Sequence, residues 1–109
     1  MEVGTIVKAA FLQADRQIKI RPAVIIKLIP PYNDFLICAI STQTHLFVEG
    51  LDIRIEKHSA DFTSSGLLQE SIIRVGMLAS VPKNMLQGAI GKTSQPMCEQ
   101  ILRQLRNFI

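Results

Sequence analysis

The sequence has no run of the roughly eighteen apolar residues that a membrane-spanning helix needs, so a soluble chain is expected. Met1-Glu2-Val3-Gly4 lacks the basic start and apolar stretch of a signal peptide, which makes the cytoplasm the expected compartment. Cysteine is scarce: Cys38 and Cys98 are the only two. Two thiols in apolar surroundings build no disulfide framework and read as small buried hydrophobes. There is no Cys-x-x-Cys pair and no His-Glu-x-x-His, and His45 and His58 have no thiolate cluster beside them. A metal site is therefore not expected, and no cofactor motif is present. The absence of Gly-x-x-x-x-Gly-Lys and of Gly-x-Ser-x-Gly removes phosphate-loop enzymes and serine hydrolases of the elbow type.

What remains is a chain of 109 residues, expected to form a single domain over 1–109 with one modest core. Hydrophobic residues make up 48% of it. That is high for a small domain and fits either a well-filled core or, the preferred reading, apolar surface buried against another subunit. The net charge is only +3, but it is unevenly spread. From Lys8 to Lys27 the chain sets Lys8, Arg16, Lys19, Arg21 and Lys27 against Asp15 alone, whereas the stretch from Leu28 to Glu70 is acidic. A basic N-terminal third can meet a phosphate backbone or an acidic partner, or be a solvated face.

The apolar pattern predicts mostly β structure. Val3 to Phe11, Lys19 to Leu28, Phe35 to Ile40, Leu51 to Glu56 and Ser71 to Val75 read as strands, the third as a central one and the fourth as half-buried by its alternation. Pro30-Pro31-Tyr32-Asn33-Asp34 is a turn. Pro82 to Leu86 suits a single helical turn. A C-terminal helix is capped by Ser94, with Met97, Ile101, Leu105 and Phe108 at helical spacing and Cys98, Leu102 and Ile109 widening the stripe. Short strands closed by one helix suggest a small barrel.

Two segments carry candidate chemistry. Pro22 biases Arg21 toward extended backbone, from which its guanidinium can grip a phosphate with two parallel hydrogen bonds. Ser41, Thr42 and Gln43 follow an apolar strand and emerge at its end, where hydroxyl and amide groups can bond a phosphate or a base edge. An Arg-Pro opening a strand and a Ser-Thr-Gln closing one are also ordinary features, so these residues alone leave both readings open.

The order of the segments resembles the MazF/PemK family of type II toxin–antitoxin ribonucleases. The matching elements are Gly4-Thr5-Ile6-Val7, Lys19-Ile20-Arg21-Pro22-Ala23-Val24-Ile25 and Ile40-Ser41-Thr42-Gln43, followed by Asp61-Phe62, Ser65-Gly66-Leu67, Ser71-Ile72-Ile73-Arg74 and Ile90-Gly91. The resemblance implies a small SH3-like β-barrel with a C-terminal α-helix and one or two short helical turns, acting as a homodimer. It implies a metal-independent endoribonuclease that cuts single-stranded RNA by 2′-hydroxyl attack and is silenced by a cognate antitoxin. Arg21 matches the family's essential arginine, and Ser41 stands where a threonine usually supplies the essential hydroxyl. Gln43 matches the glutamine that closes that segment, and Arg74 a common basic position.

On this reading Arg21 and Ser41 are catalytic, and Thr42, Gln43, Arg16, Lys19 and Arg74 bind RNA. Arginine is a poor base at neutral pH, which leaves His45 as the nearby candidate for acid–base work. Specificity is expected from the loops Asp15–Lys19 and His45–Gly50. With no Trp and one Tyr, extensive base stacking is not expected. The alternative is a non-catalytic module on the same barrel that inhibits a protein such as DNA gyrase.

Overall fold

The apolar runs become six strands in the computed structural model, which describes residues 1–109: β1 (Thr5–Leu12), β2 (Ile18–Ile29), β3 (Asp34–Ser41), β4 (Ile53–Ile55), β5 (Ser71–Val81) and β6 (Leu86–Lys92). They form one curled antiparallel sheet in the order β4-β5-β3-β2-β1-β6, a half-barrel. Two helices, α1 (Ala60–Ser65) and α2 (Gln95–Phe108), and two 3-10 turns, Thr44–Leu46 and Lys83–Met85, complete the chain. No helix is long and apolar enough to cross a membrane.

Strand residues alternate between the faces of a sheet, and here both faces are buried. Ile6, Val24, Ile26, Cys38, Ile40, Ile73 and Val75 pack on one face with Met97 and Ile101 of α2. Val7, Ala9, Ala23, Ile25, Phe35, Ile37 and Val81 form a second cluster on the other. Two-sided burial is why β2 and β3 read as continuous apolar runs rather than alternating ones. The β1–β2 hairpin closes through Gln13–Gln17. The Gln13 N–H donates to the Gln17 carbonyl (2.8 Å), the Arg16 N–H to the Gln13 carbonyl (2.9 Å), and Arg16 sits at φ 68°.

The structure corrects the expected elements in several places. The strand expected over Leu51 to Glu56 shortens to β4, because Asp52 turns inward and is buried. Its Oδ1 accepts from the Val75 N–H (3.2 Å) and its Oδ2 from the Val48 N–H (3.0 Å), so a carboxylate replaces ladder pairing. The Gln104 side-chain amide of α2 donates to the carbonyls of Leu51 (2.7 Å) and Asp52 (3.2 Å), locking the helix onto the same corner. The strand expected to stop at Val75 runs on to Val81, across a bulge where β3 pairing jumps from Arg74 to Leu78. The helical turn near Pro82 is the 3-10 turn Lys83–Met85.

Helix α2 starts as expected, its Ser94 Oγ accepting from the Met97 N–H (3.2 Å). Its apolar stripe is narrower than expected: Met97 and Ile101 are buried, whereas Leu102, Phe108 and Ile109 are 38%, 61% and 87% exposed. Strand β6 and helix α1 were not foreseen. The sequence of β6, Leu-Gln-Gly-Ala-Ile-Gly-Lys, has no clear period and takes its form from pairing with β1. α1 is six residues between a Ser59 cap and Gly66 at φ 75°.

Two short glycine motifs meet here. A Cβ on Gly66 would overlap the Ile90 carbonyl, and one on Gly91 would overlap the Ser65 carbonyl. Only hydrogen at both positions lets the end of α1 lie against β6. Gly91→Ala is expected to destabilise the fold by about 2 kcal/mol or more, read as a lowered urea midpoint with an unchanged slope.

Cys38 is fully buried, and its Sγ donates to the Val75 carbonyl (3.6 Å). Burial, and secondarily the Asp52 carboxylate, push its thiol up to about 12. An unfolded thiol ionises near about 8.5. The thiol is therefore neutral in both states below that pH, and above it only the unfolded chain ionises. Stability is expected to fall between about pH 8.5 and 12. Urea titrations at about pH 8 and about pH 10.5 should show a larger loss for wild type than for Cys38→Ala.

Candidate functional site

Strand β2 pairs with β1 along its whole N-terminal half, from Ile18 to Val24. Its pairing with β3 begins only at Ala23, opposite Ala39. Beyond Ala39, β3 keeps only its pairing with β5, as far as Ser41 opposite Ile72. The two central strands therefore part into a fork. Pro22 lies at the parting and has no N–H to give a ladder.

Continuing the register by two residues sets Arg21 on one lip of the fork and Ser41 across from it on the other. Both share the sheet face of Ala23 and Ala39 by the alternation of side chains. Arg21 is exposed and stands beside the small, buried Ala9 of β1. Ser41 is half-buried, and its Oγ accepts from the Gln43 N–H (3.0 Å). That bond orients the oxygen and leaves its O–H free to donate.

Arg74 pairs with Ala39 and so lies on the same face, one step from Ser41. Its Nε is buried and has no hydrogen-bond partner. A buried donor without a partner costs about 1–3 kcal/mol and is relieved by any acceptor that arrives. Lys19 lies on the face of Arg21, two residues along β2 and opposite Phe11. Arg16 is further off, at the hairpin tip. Thr42 and Gln43 are exposed on the segment that leaves Ser41, and His45 is exposed on the 3-10 turn that follows.

Sequence reasoning missed Arg54. It pairs with Ile72, which in turn pairs with Ser41, so it joins the same row on the same face. Its guanidinium lies over the Phe47 ring, 4.0 Å from the centroid. The signal was available in Ile53-Arg54-Ile55, whose alternation sends the arginine to the face opposite the two buried isoleucines.

The face is electropositive without internal compensation. The protein's one ion pair, His58 Nε2 to Glu56 Oε2 (3.5 Å), lies elsewhere and is exposed. Arg21 and Arg74 thus flank the position of one free hydroxyl, with Arg54 further along the row, and no salt bridge ties any of the three to a carboxylate. Such a set is suited to the oxygens of a phosphodiester. No three His, Cys, Asp or Glu side chains converge anywhere as metal ligands would.

No curated protein matches the chain. Among solved structures, the Mycobacterium tuberculosis toxin MazF-mt6 superposes with a TM-score of 0.70 at 19% identity, over 94% of this chain and 93% of that one. The architecture is therefore shared with that toxin. A family model for the PemK-like, MazF-like toxins of type II toxin–antitoxin systems matches residues 2–109. With nearly every residue inside that match, the chain belongs to the PemK-like, MazF-like family of type II toxins.

Proposed function

We propose that this toxin is a sequence-specific, metal-independent endoribonuclease of single-stranded RNA that works in the cytoplasm. The observation that carries the reading is the fork, with Arg21 and Ser41 on facing lips of one sheet face. RNA supplies its own nucleophile. The 2′-oxygen attacks the adjacent phosphorus, the bond to the 5′-oxygen breaks, and the products are a 2′,3′-cyclic phosphate and a 5′-hydroxyl. The proton lost from the 2′-hydroxyl goes to a base, and the leaving oxygen takes one from an acid.

Arg21 and the Ser41 hydroxyl stabilise charge that grows on the nonbridging oxygens, and Arg74 adds a second guanidinium. Arginine stays protonated, so Arg21 serves as a charge clamp and not as the base, and the leaving 5′-oxygen takes its proton from water. His45, on the turn that follows Gln43, is the imidazole that takes the role of base. Thr42, Gln43, Arg16 and Lys19 extend the contact along the RNA. The exposed Met77 and Leu78 of β5 and the exposed Phe108 and Ile109 at the end of α2 give a homodimer apolar surface to bury. An antitoxin with an acidic tail would find the uncompensated face and cover Arg21.

The test is incubation of single-stranded RNA with the protein in EDTA. Wild type is expected to leave cyclic phosphate ends, and Arg21→Ala and Ser41→Ala to slow cutting on the order of 100-fold or more. Intact RNA with wild type, or undiminished cutting by Arg21→Ala, overturns the reading. Intact RNA across many sequences would instead favour a non-catalytic inhibitor of a protein such as DNA gyrase. With His45 as base, His45→Gln is expected to flatten the pH–rate profile near neutrality; an unchanged profile removes it from that role.

A further inference from the structure

The fork has a second side. The residues that follow the clamp on each lip, Pro22 after Arg21 and Thr42 after Ser41, both line a cleft of about 410 Å³ on the opposite sheet face. The segment between α1 and β5, with Leu67, Leu68 and Gln69, forms its far wall, and Lys8 stands at its edge. The volume falls within the range of small-ligand sites. Clamp and cleft residues are thus consecutive in the chain on both lips of the fork.

The wall is rigid where it needs to be and free where it can read. Gly66 is pressed against the Ile90 carbonyl. The Leu67 N–H donates to Ser65 Oγ (3.1 Å), and Ser71 Oγ donates to the Gln69 carbonyl (2.9 Å). The carboxylate of Glu70 accepts from the Lys57 N–H (2.9 Å). The backbone is thus pinned along the segment. By contrast, Leu68 is 90% exposed, and the side chains of Gln69, Thr42 and Lys8 make no hydrogen bond or ion pair within the protein. A pinned backbone that holds unpartnered polar groups around apolar walls is how recognition loops are built.

We infer that this cleft is a subsite for one unpaired nucleobase of the RNA, the base next to the cut phosphate. This rests on the endoribonuclease reading and deepens it. Pro22, Leu67 and Leu68 offer the apolar walls between which a flat base is held. The Gln69 amide carries both a donor and an acceptor, as a base edge requires, and the Thr42 hydroxyl supplies another of either kind. The Lys8 ammonium meets a neighbouring phosphate, which positions the strand without reading it. Base choice at this position is then set by the segment before β5, outside the two loops from which specificity was expected.

The test uses a pool of long RNAs randomised on both sides of a cut position, with the cut ends sequenced. Gln69→Ala and Leu68→Ala alter exposed side chains. Each is expected to compress the ratio between best and worst base at one flanking position by roughly tenfold, leaving the ratios at other positions unchanged. Lys8→Gln is expected to weaken cutting evenly across sequences and to lower its salt dependence. An unchanged preference at every position in both Gln69→Ala and Leu68→Ala overturns the subsite, and so does an equal fall at all positions. Unchanged preference joined to lost affinity for an acidic antitoxin peptide also overturns it, assigning the cleft to the partner protein. If wild type cuts no RNA, the endoribonuclease reading itself falls, an outcome distinct from wild-type cutting with an unaltered profile.

Discussion

Where β3 lets go of β2 decides what the rest of this fold can present. Upstream of Ala23 the second strand keeps a partner on one side only, and Pro22 has no N–H with which to extend the other ladder. If pairing continued to Ser41, the backbone groups of both strands would be satisfied by each other and the lips would close. Because it stops, Arg21 and Ser41 stand apart on one face while Pro22 and Thr42 open a cleft on the other. The parting is tolerated because each lip is held from behind, Arg21 by β1 and Ser41 by β5. A two-stranded ribbon without such backing is marginal in water.

Two contacts off the arginine-bearing face hold the elements around this backing. Asp52 gives both carboxylate oxygens to backbone N–H groups, one of them at the Val75 bulge beside Arg74. A buried carboxylate satisfied in this way fixes the bend of β5, and with it the register that keeps Arg74 and Ile72 beside Ala39 and Ser41. The second contact is the close approach of Gly66 and Gly91, which presses α1 onto β6 and sets the start of the segment that lines the cleft. Neither contact touches the face that carries the arginines, yet each places an element that frames it. A side chain as small as methyl at either glycine therefore reaches the site through the backbone.

Much of this was legible in the sequence, and the failures have identifiable causes. β2 and β3 were plain because burial on both faces produces uninterrupted apolar runs, and α2 was plain because a serine cap precedes residues at helical spacing. β6 was hidden because a glycine-rich strand with no alternation is specified by its neighbour, β1, rather than by its own residues. α1 is too short for periodicity to register. Asp52 misled because an acidic residue in an alternating run is read as outward-facing, whereas here it accepts from a local amide, Val48, and from one far along the chain, Val75. Of the candidate site, Arg21 and Ser41 were found through the segments around them, but their relation was not: facing positions across a fork are a matter of register, which single segments do not encode. Arg54 was passed over for the same reason, since its row is formed by β5 pairing with two strands at once.

The uncompensated arginines connect stability with binding. Like charges gathered on one face destabilise the compact state, and the buried Nε of Arg74 adds the penalty of an unmade bond. The Arg54–Phe47 stack covers one plane of a guanidinium but spends none of its N–H donors. Any anion that enters the fork satisfies these groups in the folded state alone, so by linkage it stabilises the fold as it binds. On the proposed reading, RNA and an acidic antitoxin tail draw on the same unmet charge, and whichever occupies the face removes the attraction for the other. Mutual exclusion then needs no conformational switch. It follows from one set of donors that the chain leaves without acceptors of its own.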